Sequence, residues 1–459
     1  MQKPRRGDLI EIDIERLDRR GNGLGRMGAY TLLVRGAVPG DRVRARVRKV
    51  RNRMRRAEAS LEALLSARIQ RSPARCSHFG LCGGCLWQDI PYASQVRLKQ
   101  DLVQTCLAEA GIDTELDEPV PSAEPFFYRN KMEFSFGSSP EGRTEVGLHV
   151  WGRFDRVFDL DACYLQSETS NRIVDRVRNF ASSLSVYHLK RHEGLLRFLT
   201  IREGKQTGET MVVLTTSGDA FPDAQSLGKM LEETFPEVKS VIHSVNLRRA
   251  QVATGDREEV LAGTGTVKEK LGDFTFEISP GSFFQTNTRQ ARHLYRRVVE
   301  LADPDPDDRI LDVYCGTGAI SLHLSRKAGY VLGIEAGEGA VRDAVRNSAI
   351  NGVSNCRFIA GAAEDILWQI RDRGERFETV VADPPRPGMH LKAITAICDL
   401  RPERIVYVSC NPEALGADLI RLESSGYKTD YVQLVDMFPH TPHCEVVARL
   451  NLTRNASGK

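Results

Sequence analysis

No stretch of this chain approaches the roughly 18 uninterrupted apolar residues that a membrane-crossing helix needs. Its opening residues, MQKPRRGDLIEIDIERLDRR, hold no apolar run of signal-peptide length. The expectation is a cytoplasmic chain that makes no use of a membrane. Cysteine is scarce, ten in 459 residues, which excludes a disulfide scaffold; its clustering points instead to metal binding or catalysis. Internal repeats and low-complexity tracts are absent, so neither a solenoid nor a disordered linker organises the chain. Net charge is also small, +3.

That small net charge hides an asymmetry. Residues 1–75 carry 20 Lys and Arg against 8 Asp and Glu, and the remainder is net acidic. The densest basic stretch, RVRARVRKVRNRMRR (42–56), begins with Arg alternating with small or apolar residues, as in a strand with one charged face. A solvated surface strand is one reading. Phosphate binding is the other, favoured because so many like charges on one face repel unless an anion neutralises them.

The length suggests about three domains at roughly 150 residues each. Residues 1–62 read as short strands (DLIEIDIERL, AYTLLVRGAV, DRVRARVRKV) separated by turns such as RRGNGLGRMG, and a small closed barrel would remove their edges. Residues 70–280 are mixed, and their pattern assigns no topology. Residues 281–459 alternate strand, glycine turn and helix, which predicts a parallel sheet covered by helices. The fold class is therefore α/β with a β-rich N-terminal domain.

Three motifs of the last region carry chemistry. RILDVYCGTGAISLHLS (309–325) reads as a buried strand, a glycine turn and a helix, and YVLGIEA (330–336) as the next strand, ending in Glu335. Glycines at 316 and 318 permit close ligand approach, and a carboxylate about 20 residues on reaches ribose hydroxyls. With no third glycine for a pyrophosphate, the turn fits S-adenosylmethionine better than a dinucleotide. ETVVADPPRPG (378–388) places Asp383 at the carboxyl end of another strand, with Arg386 where amino-directed methyltransferases carry an aromatic residue. YVSCNPEALGADL (407–419) places Cys410 between a strand and a helix with Asn411 as N-cap, Pro412 at the first position and Glu413 as first-turn acid. Either a helix terminus favours its thiolate or the thiol is buried packing. Glu445, leading the last apolar strand, lies near the same edge.

Three cysteines in CSHFGLCGGC, Cys76, Cys82 and Cys85, have metal-ligand spacing, with Cys163 as a candidate fourth. Spacing alone admits structural zinc or an iron–sulfur cluster.

With SCNP, DPPR and HTPHCE in this order, together with YRNKMEFSF (128–136) and SPGSFFQTN (279–287), the chain resembles the S-adenosylmethionine-dependent RNA uracil-C5 methyltransferases over nearly its whole length. The resemblance implies an N-terminal TRAM or OB-like barrel, a central domain with a [4Fe–4S] cluster on Cys76, Cys82, Cys85 and Cys163, and a Rossmann-like catalytic domain. It implies donor contacts at Gln285, Tyr314, Glu335 and Asp383, Cys410 as nucleophile at uracil C6, and Glu445, ionised beforehand, as the base at C5. The implied partner is RNA, 23S ribosomal RNA ahead of transfer RNA, with no obligate protein partner. Ala319 and Pro442 depart from the family pattern, touching one donor contact and the loop before Glu445. Cytosine-C5 methylation and a non-catalytic RNA-binding assembly factor are the competing readings; SCNP with Glu445 opposes the first, and intact Cys410, Glu445 and Glu335 the second.

Overall fold

The computed structural model describes residues 3–218, 221 and 223–453. Among the described residues no helix is long and apolar enough to cross a membrane.

Alternation in the basic stretch becomes geometry in the first sheet. In strand Arg42–Arg51, Val43, Ala45 and Val47 point into a small core, and the intervening arginines point out. Six strands pair in the order Leu9–Asp13, Arg42–Arg51, Arg56–Ser66, Tyr30–Arg35, Gly23–Met27, Arg16–Leu17. The expected closed barrel is not found: the two edge strands do not pair. One edge is only two residues long, and the bonds from Ile14 N to Asp41 O (2.8 Å) and from Gly40 N to Ile14 O (2.9 Å) extend the ladder between Leu9–Asp13 and Arg42–Arg51 without closing the seam. The charged face is also less bare than expected. Arg44 pairs with Glu11 (2.8 Å), Arg46 with Glu62 (3.0 Å) and Arg51 with Glu58 (3.2 Å), so cross-strand carboxylates offset part of the repulsion.

The central region resolves into a seven-stranded sheet, ordered Val157–Asp159, Thr144–His149, Lys131–Ser138, Leu196–Glu203, Thr210–Thr216, Val238–Val245, Arg257–Gly263. Pairing is antiparallel except between Thr210–Thr216 and Val238–Val245, which the crossover helix Ala224–Thr234 connects.

The C-terminal region is built on an eight-stranded sheet in the order Cys356–Ala360, Tyr330–Glu335, Arg309–Val313, Thr379–Ala382, Arg404–Ser409, Glu445–Leu452, Tyr427–Val435, Asp117–Val120. The first five strands are parallel, and the strand beginning at Glu445 runs antiparallel to Arg404–Ser409. Parallel strands buried on both faces read as apolar runs, as RILDV, TVVA and RIVYVS do. Strand order reverses between Arg309–Val313 and Thr379–Ala382, the switch point where such sheets bind ligands. Strand Asp117–Val120, from far upstream of the other seven, pairs in parallel with Tyr427–Val435, and helix Tyr92–Ala110 packs on helix Pro412–Ser424.

Candidate active site

The glycine turn after Arg309–Val313 follows from local sterics. Gly316 (φ +54°) and Gly318 (φ +81°) take left-handed conformations, and a Cβ on Gly318 would lie 3.1 Å from both Ala344 and Phe358. A Cβ on Gly316 would meet nothing within 4 Å, so this glycine faces open space. Tyr314, ahead of the turn, is a non-glycine residue at φ +69°, a strained conformation of the kind held at ligand sites. Glu335 ends the adjacent strand and binds the turn: Oε2 accepts from Gly316 N (3.2 Å) and Oε1 from Gly337 N (2.8 Å). Its position fits a ligand held between the turn and the next strand. Asp312 is fully buried, with Oδ2 accepting from Ser321 Oγ and Oδ1 without a partner among the described residues; burial, then Ser321 opposing it and Glu335 adding to it, leaves its carboxyl pushed up to about 7.

Gln285 lies on the loop entering this domain, buried, with its carbonyl accepting from Asn130 Nδ2 (2.8 Å). That loop is clamped by helix Glu338–Ile350. Asp343 accepts from Ser279 Oγ (2.8 Å) and from Ser282 Oγ, while Asn347 accepts from Glu277 N (2.8 Å) and donates to Thr317 O (3.2 Å). One helix therefore ties the Gln285 loop to the glycine turn.

Asp383, Cys410 and Glu445 converge because their strands are neighbours. Asp383 directly follows Thr379–Ala382, Cys410 directly follows Arg404–Ser409, and Glu445 opens the antiparallel strand in which Val446 pairs with Ser409. Asn411 Nδ2 donates to Arg386 O (2.9 Å) and joins the two loops. The helix start is as the sequence predicts: Asn411 caps it by accepting from Glu413 N (3.2 Å), Pro412 begins it, and Glu413 is its first-turn acid.

Electrostatics correct two expectations. The Cys410 thiol is not a resting thiolate: burial foremost, then the carboxylates of Glu445 and Asp383, push it up to about 11 against an opposing Arg386. The helix terminus is outweighed by desolvation and like charge. Nor does the Glu445 carboxyl keep its ordinary value. Buried, with Oε2 lacking a partner among the described residues, it is raised well above the ordinary range by desolvation and by Asp383. Asp383 itself is pushed up to about 7, chiefly by burial and then by Asp312.

Sequence reasoning missed what holds the loop 436–445. Asp436 accepts from Lys99 Nζ and from Tyr92 Oη (2.8 Å), and Gln95 reaches His440 Nδ1 (3.2 Å) while accepting from His440 N (2.8 Å). All three partners lie on helix Tyr92–Ala110. A signal existed: Lys99 falls three residues after Val96 and four before Val103, on the helix's apolar stripe. His440 (φ +67°) is held neutral, its imidazole lowered to about 4 by burial and then Lys99, and its ring stacks 4.3 Å from Phe126.

Cys76, Cys82, Cys85 and Cys163 line one cavity of about 550 Å³. Gly84 N lies 3.2 Å from Cys82 Sγ and Gln88 Nε2 3.7 Å from Cys85 Sγ. Burial foremost raises all four thiols, Cys85 to about 12 with the other three adding to it. Among the described residues no group of three or more His, Cys, Asp or Glu is gathered closely enough to hold a metal ion. The iron–sulfur expectation gains no support from this arrangement, because the thiols share a cavity wall without converging as a ligand cage.

The family profile described as tRNA (Uracil-5-)-methyltransferase matches residues 226–453, and the TRAM domain profile matches residues 3–60. A relative in Halalkalibacterium halodurans, called an uncharacterized RNA methyltransferase, is 37% identical over 451 residues, covering 97% of this chain and 98% of its own. Another so called, in Chlorobaculum tepidum, is 38% identical over 97% of this chain and 96% of its own. Among solved structures, the tRNA (uracil-54, C5)-methyltransferase of Pyrococcus abyssi in complex with S-adenosyl-L-homocysteine is 31% identical with a TM-score of 0.78, covering 96% of this chain and 99% of that one. A glycine turn braced by a strand-end carboxylate, beside a cysteine and two buried acids, thus stands in a chain that belongs to the S-adenosylmethionine-dependent RNA uracil-C5 methyltransferase family.

Proposed function

We propose that this enzyme methylates carbon 5 of a specific uridine in 23S ribosomal RNA through a covalent Cys410 adduct, with Glu445 as base. The observation that carries the reading is the convergence of Cys410, Asp383 and Glu445 at the ends of three adjacent strands. S-adenosylmethionine, when bound, supplies a methyl group on a sulfonium; Gln285, Tyr314, Glu335 and Asp383 would surround it.

Carbon 5 of uracil is too electron-poor to accept a methyl group directly. The Cys410 sulfur forms a bond to C6 and the electron pair of the C5–C6 double bond moves towards O4, making C5 nucleophilic. After C5 has gained the methyl group it still bears a proton. Glu445 takes that proton, the C6–S bond breaks, and the ring's double bond and the cysteine are restored. A raised carboxyl pKa makes Glu445 the stronger base once its own proton has left. The uridine must be unstacked to reach this edge, so a flipped base is the geometry required.

Cys76, Cys82, Cys85 and Cys163 are where we place a [4Fe–4S] cluster, as the group that would order their loop. The reading rests on the family resemblance, since the four thiols line one cavity without forming a ligand cage. No electron is needed for uracil methylation, so its role would be structural.

Transfer RNA is the second reading, favoured by the 31% identity to the Pyrococcus abyssi tRNA enzyme over 96% of this chain. The test uses S-adenosylmethionine with 5-fluorouridine-substituted 23S ribosomal and transfer RNA. Fluorine cannot leave as a cation, so the reaction stalls as a denaturation-resistant adduct. An adduct at Cys410 on ribosomal RNA is expected; one on transfer RNA alone moves the substrate, and none on either RNA overturns the mechanism.

A further inference from the structure

The turn 150–156 reads WGRFDR after Val150, aromatic residues interleaved with arginines. It is tightly closed: Val150 N donates to Arg156 O and Arg153 N to Val150 O, both at 2.9 Å, and Gly152 sits at φ +73°. Yet Trp151 is 54% exposed and Phe154 is 74% exposed. Two aromatic side chains thus stand exposed on one closed turn, beside its arginines.

Beside this turn runs a groove of about 580 Å³, walled opposite by the segment 186–191. Arg153, Arg156, Lys190, Arg191 and Arg197 line it against Glu145 and Asp155, so cations prevail. Arg197 is engaged internally, donating to the carbonyls of Asn246 (2.8 Å), Arg248 (2.6 Å) and Ala250 (2.8 Å), and Arg153 pairs with Asp155 (3.1 Å). Among the described residues, Arg156 and Lys190 make no ion pair within 4 Å, so both remain available to an anion.

Position gives the groove its partner. His149 lines both this groove and the cysteine cavity, whose far wall includes Phe283 and Thr286 on either side of the Phe284–Gln285 pair. Trp151 N donates to Leu81 O in the cysteine loop (2.9 Å), and the guanidinium of Arg35, from the TRAM domain, lies 4.2 Å over the Trp151 ring. A surface thus continues from the cysteine cavity, beside the loop that carries Gln285, to the turn, and from there to the basic N-terminal sheet.

We propose that this groove holds single-stranded RNA flanking the target uridine, with phosphates at Arg156 and Lys190 and a base stacked on Phe154, which stands between the groove-lining Arg153 and Asp155 on the turn beside it. The inference rests on the RNA-methylating reading of the site and adds a location where the strand is gripped. Aromatic faces with adjacent cations are how proteins hold single strands without reading sequence.

The test measures binding of a fluorescein-labelled 16-nucleotide oligouridylate to the full chain by anisotropy across a salt series. Phe154→Ala is expected to weaken binding about tenfold. Arg156→Ala with Lys190→Ala is expected to reduce the slope of log affinity against log salt by about 1.4, roughly 0.7 per lost phosphate contact. Adduct formation at Cys410 with a short 5-fluorouridine hairpin lacking flanks, followed on the same samples, reports the catalytic reading separately and should be unchanged. Failure of the unaltered chain to bind the oligouridylate, or unchanged affinity and slope in both variants, overturns the proposal. Poly-L-glutamate binding that the variants lose while keeping their RNA affinity also overturns it and assigns the groove to an acidic polypeptide.

Discussion

Lys99 Nζ lies 2.5 Å from Asp436 Oδ1, and both side chains are fully buried. The ammonium also donates to Phe438 O (2.9 Å), so one cation holds two points of the loop that ends in Glu445. Removing it leaves a carboxylate buried without its partner. Lys99→Met should cost about 3–5 kcal/mol in urea unfolding, and adding Asp436→Leu should recover much of that loss. Equal instability of the single and double variants would show that the pair itself is not what stabilises the loop.

Glu445→Gln separates the two halves of the reaction. An amide cannot take the C5 proton, so natural-uridine RNA should then accumulate the methylated Cys410 adduct, visible as a slow band on a denaturing gel. Cys410→Ala should show neither adduct nor product while binding RNA with unchanged affinity. Full turnover by Glu445→Gln would assign the proton to another group.

Both reacting groups are raised, and the sign follows. The thiol of Cys410, pushed up to about 11, must lose its proton before it adds to C6 and methyl transfer can follow. Single-turnover methyl transfer should therefore climb as pH rises from 6 to 9, with no plateau near the free-cysteine value of about 8.5. A flat profile over that range would mean that bound substrate already holds the thiol ionised.

Asp312 gives a stability test away from chemistry. Its folded pKa of about 7 lies above the roughly 3.9 of an unfolded aspartate, so the folded state holds a proton that the unfolded chain releases. This contribution is fully present below about pH 4 and is lost as pH rises through 7. Asp312→Asn carries no such loss. Its urea midpoint should exceed the unaltered protein's at pH 8, and the difference should vanish towards pH 4.

The two turn glycines should respond differently. Gly318→Ala meets Ala344 and Phe358 at 3.1 Å and adds left-handed strain, so it should lower the melting temperature. Gly316→Ala carries only the strain, roughly 1–2 kcal/mol, because its Cβ would enter open space. It should fold and yet lose S-adenosylhomocysteine affinity by calorimetry; tight binding by that variant would move the donor away from Gly316.

The parallel half of the catalytic sheet was legible because buried parallel strands write themselves as apolar runs punctuated by glycine turns, and Asn411-Pro412-Glu413 marks a helix start by local chemistry alone. Cys410 was legible in position but not in protonation. A helix terminus is a local property, whereas the carboxyls of Asp383 and Glu445 arrive from strands 27 residues before and 35 residues after it in sequence. For the same reason Lys99 escaped notice: its partner is 337 residues away. Gln285 as a donor contact rests on resemblance alone, since no periodicity singles it out, and the clamp from Asp343 and Asn347 becomes visible only once helix and loop are folded together.

The strand Asp117–Val120 completes the catalytic sheet at its far edge, yet the whole central sheet intervenes in the chain before the other seven strands begin. On the ribosome, helix Tyr92–Ala110 emerges with Lys99 and Gln95 long before Asp436 and His440 exist to receive them. The methyltransferase half therefore closes only when synthesis is nearly complete, and a C-terminal fragment starting near residue 281 would leave Asp436 without its cation and one sheet edge bare. Proteolysis between the sheets would leave two pieces still clasped through that borrowed strand.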